Sequence, residues 1–210
     1  MNRRTRVFKI SRKRPAAAQL AMAAEVLCRG GVVVFPTDTV YGVAVNAFDA
    51  RARKKVYALK GRSYSKPLTI MVPDIACARM FAEVSKDAGN FMEKFWPGPL
   101  TLVLPATHFG SIVMNGRNNI GIRIPDDKVV AGILSAARLP LATTSANPSH
   151  HKSARTGDEA VRYFDGKVDM ILDAGPCPHK MESTVIDMLH FPYVVLREGS
   201  LPSKKLLQYL

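Results

Sequence analysis

Three cations fall within seven residues in LKGRSYSKPL (59–68): Lys60, Arg62 and Lys66, with no acid between them. A guanidinium pairs bidentately with phosphate or carboxylate oxygens, and an ammonium adds a compact charge, so this spacing suits a polyphosphate. Four further polar clusters stand at the ends of apolar runs. PTDTVYG (36–42) presents Thr37, Thr39 and Tyr41, with Gly42 freeing the backbone. IGIRIP (120–125) sets Arg123 alone inside an apolar stretch, where a buried guanidinium needs a partner. TTSANPS (143–149) carries Thr143, Ser145 and Asn147, and ESTVID (182–187) joins LREGS (196–200) in carrying Ser183 and Arg197. Hydroxyls, amides and loop N–H groups complete an anion cradle without a P-loop. Each cluster alone also reads as a turn, a solvated loop or a structural ion pair. Together they point to a site for a phosphorylated or carboxylated small molecule, or for nucleic acid.

Other chemistries find no support. There is no GxxxxGK[ST] or GxGxxG, no GxSxG elbow and no HExxH spacing among the five His. Cys177 and His179 are neighbours, but three Cys in the chain (Cys28, Cys77, Cys177) neither build a four-ligand zinc site nor a disulfide scaffold. That cysteine usage fits a reducing cytoplasm.

The elements that must position these clusters are short. PAAAQLAMAAEVLCRGG (15–31) reads as a helix that Gly30 closes. VVVF (32–35), VAVN (43–46), LTIMV (68–72), LTLVL (100–104), IGIRI (120–124), LATT (141–144), VDMIL (168–172), STVIDM (183–188) and YVVLR (193–197) read as strands. Asp49, Asp74, Ser85 and Thr156 are placed to cap helices, Asp126 precedes another over 127–138, and Ser203 caps a last short one. About nine strands thus interleave with about six helices, without strict alternation. The expectation is a single α/β (α+β) domain over residues 15–210, with a large twisted mixed sheet flanked by helices.

The chain has 210 residues with Lys plus Arg 30 against Asp plus Glu 17, a net charge of +13. No apolar run is long enough to span a bilayer, and a 47% hydrophobic fraction supports a real core. Residues 1–14 form a basic arm holding Arg3, Arg4, Arg6, Lys9, Arg12, Lys13 and Arg14 and no acid. Such an arm is either a solvated terminus or a phosphate-binding one.

Over residues 15–200 the ordered set of PTDTVYG, the Lys60-x-Arg62 pair, WPGPLTLVL, IGIRIP, the Ser145-x-Asn147 pair, ESTVID and LREG resembles the YrdC-like family of L-threonylcarbamoyladenylate synthases. The resemblance implies the family's fold with a concave positive cavity, in the short single-domain form. It implies that ATP, L-threonine and hydrogencarbonate give threonylcarbamoyl-AMP and pyrophosphate, with Mg²⁺ accompanying ATP and no protein metal site. The product would pass to a tRNA threonylcarbamoyl transferase that modifies position 37 of ANN-decoding tRNA in the cytoplasm. Carried onto this sequence, Lys60 and Arg62 are the catalytic phosphate cations. Lys66, Asn119, Ser145, Asn147, Ser153 and Arg197 stand at the other ATP positions, and Thr39, Arg123, Thr143 and Ser183 at threonine positions. Two local departures stand out: Met71 replaces a polar group, and Pro148-Ser149-His150 follows Asn147 where relatives often read Ser-Gly. The competing readings are an inactive paralogue, and an RNA-binding module that contacts tRNA or double-stranded RNA through the cavity and arm. Both cation and Ser-x-Asn pairs are intact, which favours activity, and no interleaved aromatics mark an RNA platform.

Overall fold

The computed structural model describes residues 4–206 and 209. In chain order the elements are β1 (Arg6–Lys9), α1 (Ala17–Cys28), β2 (Val33–Phe35), β3 (Gly42–Asn46), α2 (Ala50–Lys60), β4 (Thr69–Met71), α3 (Ile75–Phe81), α4 (Lys86–Phe95), β5 (Leu100–Pro105) and α5 (His108–Val113). There follow β6 (Asn119–Arg123), α6 (Lys128–Ala137), β7 (Leu141–Ser145), α7 (Gly157–Phe164), β8 (Met170–Asp173), β9 (Thr184–Asp187), β10 (Val194–Arg197) and α8 (Ser203–Leu206). The strands form one sheet in the order β1-β8-β2-β3-β7-β4-β6-β5-β9-β10. Pairing is mixed: β4 lies parallel to β6 and β5 to β9, while β7 runs antiparallel to both β3 and β4.

Local chemistry explains most boundaries. Asp49, Asp74, Ser85 and Thr156 accept from Ala52, Cys77, Ala88 and Glu159 N–H groups, so each satisfies a donor that the first helical turn leaves unpaired. Gly30 takes φ +71° beyond α1, the left-handed closure that a Cβ disfavours. Three expectations are corrected. Asp127, not Asp126, caps α6, because its carboxylate reaches Val129 N and Val130 N. Ser203 opens α8 rather than capping it. Residues 6–9 of the basic arm are an edge strand parallel to β8. Arg3 lies outside the described residues.

The two faces of the sheet are covered unequally. On one face Val34, Val43, Ile70, Leu102, Ile122 and Ile171 meet α2, α3, α4 and α7 in the larger core. Alternation sends Val33, Phe35, Ala44, Leu141, Met170 and Leu172 to the other face, under α1 and α6. Those two helices pack closely, and a Cβ at Gly132 of α6 would stand 2.5 Å from Leu20 Cδ1 of α1. They cover the β8-β2-β3-β7 half of their face. Across β4, β6 and β5 the same face carries Thr69, Gly121, Arg123 and Thr101 in place of an apolar layer, with Met71 at the border between that core and the cavity.

Candidate active site: a cation-lined cavity on the bare half of the sheet

Strand register assembles the floor. Thr69 stands opposite both Thr143 and Gly121, and Met71 opposite Arg123. The strand ends and loops add Thr37, Thr39, Ser145, Glu182, Ser183, Arg62 and Arg197 around a cavity of about 110 Å³. Three guanidiniums face one carboxylate, Glu182, among the lining charges.

Arg123 is 3% exposed. Its Nε donates to Gly98 O (2.9 Å), one terminal nitrogen to Thr39 Oγ1 (3.0 Å), and the other to Asp38 Oδ1 (2.6 Å). Burial lowers its pKa and Asp38 opposes that, so the guanidinium stays charged. Three of its five N–H donors are used, which leaves one on each terminal nitrogen for a ligand. Thr39 is itself held by Thr37, whose hydroxyl lies 2.9 Å from Thr39 Oγ1. On the opposite wall Arg197 donates to Ser183 O and Ser183 Oγ (both 3.0 Å), and Ser183 Oγ meets Thr101 Oγ1 at 2.9 Å. Thr143 Oγ1 donates to Thr69 O (2.9 Å).

The phosphate-type groups adjoin this floor. Arg62 follows the left-handed Gly61 (φ +59°) that ends α2, and donates to Lys66 O (2.9 Å) and Pro67 O (3.0 Å). Lys60 lies behind Ser145, donating to Ser145 O and to Asn147 Oδ1 (3.0 Å). Asn147 Oδ1 also accepts from Ser145 Oγ (2.7 Å), so the Lys and the Ser-x-Asn pair form one cluster. Burial, then the nearby Arg62 charge, lower the Lys60 pKa to about 7, against the pull of Glu182. Burial also lowers Arg62 and Arg197. Ser153 Oγ donates to Glu182 Oε1 (2.5 Å) and so stands one residue behind the wall.

Seven of the anticipated residues thus line the cavity: Thr39, Arg62, Arg123, Thr143, Ser145, Ser183 and Arg197. Lys60, Asn147 and Ser153 back it through hydrogen bonds. Lys66 reaches it through its carbonyl alone, with an exposed side chain, and Asn119 stands at the far end of β6, outside the lining. Asp38, Thr69, Thr101 and Glu182 were not singled out as individual residues. Asp38 could have been found as the acid that a buried Arg123 demands.

The family described as Telomere recombination, Sua5/YciO/YrdC, matches residues 25–199. A threonylcarbamoyl-AMP synthase of Pyrococcus abyssi is 34% identical over 93% of this chain and 58% of its own length. One of Halorhodospira halophila is 35% identical over 80% of this chain and 84% of its own. The crystal structure of P. abyssi Sua5 complexed with L-threonine superimposes with a TM-score of 0.94 at 32% identity, covering 98% of this chain and 61% of that one. This chain therefore spans under two thirds of the P. abyssi relative's length. From the match over residues 25–199 and these identities, the chain belongs to the Sua5/YciO/YrdC family.

Proposed function

We propose that this chain is an L-threonylcarbamoyladenylate synthase, a nucleotidyltransferase that converts ATP, L-threonine and hydrogencarbonate to threonylcarbamoyl-AMP and pyrophosphate for tRNA modification in the cytoplasm. One observation carries the reading. A buried Arg with two free N–H donors stands among threonine hydroxyls on one wall, and Arg62, Arg197 and the Lys60/Ser145/Asn147 cluster stand beside it. That is a carboxylate socket adjoining a polyphosphate cradle. Relatives carrying the synthase name, and one with L-threonine bound, support it.

Arg123 would take the threonine carboxylate, with Thr39, Thr143 and Ser183 supplying polar contacts. The ammonium and hydrogencarbonate give a carbamate, water and a proton. A carbamate oxygen then attacks the ATP α-phosphate, the bond to the β-phosphate oxygen breaks, and pyrophosphate leaves with the electron pair. Arg62, Arg197, Lys60 and the Ser145 hydroxyl would stabilise charge on the phosphoryl oxygens, so catalysis is positioning and electrostatics. Mg²⁺ would enter with the triphosphate. Among the described residues no three His, Cys, Asp or Glu side chains converge, and Glu182 is the one carboxylate on the wall. The product would go to a tRNA threonylcarbamoyl transferase.

The test is pyrophosphate release by the purified protein with ATP, Mg²⁺ and hydrogencarbonate, with L-threonine, with serine, or with neither. Threonine-dependent release is expected. A folded protein that binds ATP and releases nothing would favour the inactive paralogue.

A further inference from the structure

Lys9 and Arg12 belong to the N-terminal arm, outside the 25–199 segment that defines the family match, yet Arg12 reaches the PTDTVYG loop directly and Lys9 reaches it through Asp173. β1 pairs with β8, and Ile10 N–H continues the ladder to Asp173 O (2.8 Å). The Lys9 ammonium donates to the carboxylate of Asp173, a residue only 3% exposed. The other oxygen of that carboxylate accepts from Gly175 N (2.8 Å) and lies 3.4 Å from the Tyr41 hydroxyl, which itself donates to Gly175 O (2.8 Å). Three residues beyond Lys9, Arg12 donates to Thr37 O (3.1 Å), to the buried carboxylate of Asp127 and to Pro176 O (3.4 Å). Asp127 spends its Oδ1 on capping α6, through Val129 N (2.9 Å), so its Oδ2 is available to Arg12.

The arm therefore holds both ends of the segment 37–41: Tyr41 through Asp173, and Thr37 through Arg12. Thr37 is the hub of that turn. Its hydroxyl meets Thr39 Oγ1 (2.9 Å), accepts from Thr39 N (3.0 Å) and donates to Val40 O (2.7 Å). Thr39 Oγ1 accepts from Arg123, and Asp38 pairs with the same guanidinium. A shift at Thr37 is thus transmitted to the group placed to take the carboxylate.

We propose that Arg12 is a positioning residue for amino acid binding: clasped between Thr37 O and Asp127, it fixes the 37–39 turn and through Thr39 and Asp38 aims the Arg123 fork. The role rests on the reading of Arg123 as the threonine socket. The N-terminal arm thereby becomes part of the site's frame.

The experiment compares the wild-type full chain with Arg12→Ala, Arg12→Lys and Asp127→Asn. The Asn keeps the α6 cap and removes the carboxylate charge that pairs with Arg12. Kinetics are read as KM for threonine against KM for ATP. Hydrogen exchange is read over the peptide spanning 36–42, with the peptide spanning β9 as reference. Misplacing an orienting group by a fraction of an ångström costs tens-fold in such sites. Arg12→Ala should raise KM for threonine about tenfold, change KM for ATP less than about twofold, and speed exchange in 36–42 but not in β9. Arg12→Lys and Asp127→Asn should fall between it and wild type, because neither keeps both contacts of the clasp. Wild-type threonine KM and wild-type exchange in Arg12→Ala overturn the proposal. If Arg12→Ala does not fold, wild-type values in both conservative variants overturn it. If the wild-type enzyme shows no threonine-dependent turnover, the functional reading fails, and the exchange comparison still decides whether Arg12 holds the turn.

Discussion

Replacing Lys60 by Met separates the cost of its burial from its use. Lys60 is 4% exposed and donates to Ser145 O and Asn147 Oδ1, with no carboxylate in bonding range among the described residues. Burial first, then repulsion from Arg62, lower its pKa from 10.5 to about 7. Between those two values the unfolded chain binds a proton that folded Lys60 does not. Stability therefore rises with pH through that window, by at most about 1.4 kcal/mol per pH unit, and is flat below it. From pH 7 to pH 9 the gain from this one group is about 2 kcal/mol. Lys60→Met has no such ramp, and every other group titrates alike in both proteins. The variant's stability relative to wild type should thus fall by about 2 kcal/mol between pH 7 and pH 9. Each acceptor keeps a second donor, Asn147 N for Ser145 O and Ser145 Oγ for Asn147 Oδ1, so each lost bond costs about 0.5–1.5 kcal/mol, an offset that does not vary with pH in this range. Urea unfolding at pH 7, 8 and 9 reads the difference directly. A difference constant to within about 0.5 kcal/mol would show that the folded state keeps Lys60 as fully protonated as the unfolded chain does, and would refute the desolvation reasoning. A bound triphosphate should raise the same pKa again. At pH 8, calorimetry in two buffers should then show proton uptake on ATP binding by wild type and none by Lys60→Met.

Arg62→Ala should lower threonine-dependent pyrophosphate release by about 10²-fold or more with the fold intact, since it removes a charged donor from the phosphate wall. Arg123→Lys keeps a charge beside Asp38 but loses the planar fork, so the threonine requirement should rise about tenfold while the ATP requirement changes little. Gly199→Ala would set a Cβ 2.3 Å from Glu182 O and 2.4 Å from Thr184 N, which are backbone atoms. It should destabilise by about 1–3 kcal/mol and weaken binding through Ser183, both read by melting with and without threonine. His150 occupies φ +68°, the left-handed region that favours Gly. His150→Gly should stabilise by up to about 1 kcal/mol in urea unfolding.

What the sequence revealed and what it hid divide by the range of the interactions involved. Helix caps are local, so Asp49, Asp74, Ser85 and Thr156 were legible from three residues of context. The demand of Arg123 for a partner was legible as well, because desolvation of one guanidinium does not depend on topology. That Asp38 answers it was not, since β6 and the loop after β2 meet only in the folded sheet. Thr69 and Thr101 look like ordinary strand residues, and only register aligns Thr143, Thr69 and Gly121 across neighbouring strands. Helix α5 (HFGSIV) escaped because six residues carry too little period; its N-cap Thr107 and the close approach at Gly110, whose added Cβ would stand 1.9 Å from Phe81 O, fix it instead. Strand β1 escaped for the opposite reason. RVFK at a sheet edge keeps its charges outward and so resembles a solvated tail. Its neighbourhood also changes the meaning of the arm's charge. Lys9 and Arg12 are each paired with a buried acid, so an RNA contact through the described arm would draw on Arg4, Arg6, Lys13 and Arg14, which are exposed. Counterion release scales with the cations that reach phosphates, not with those a sequence contains. The same two residues that leave the polyanion count enter the count of groups holding the 37–41 segment, and that is where the arm's physical chemistry connects to the cavity.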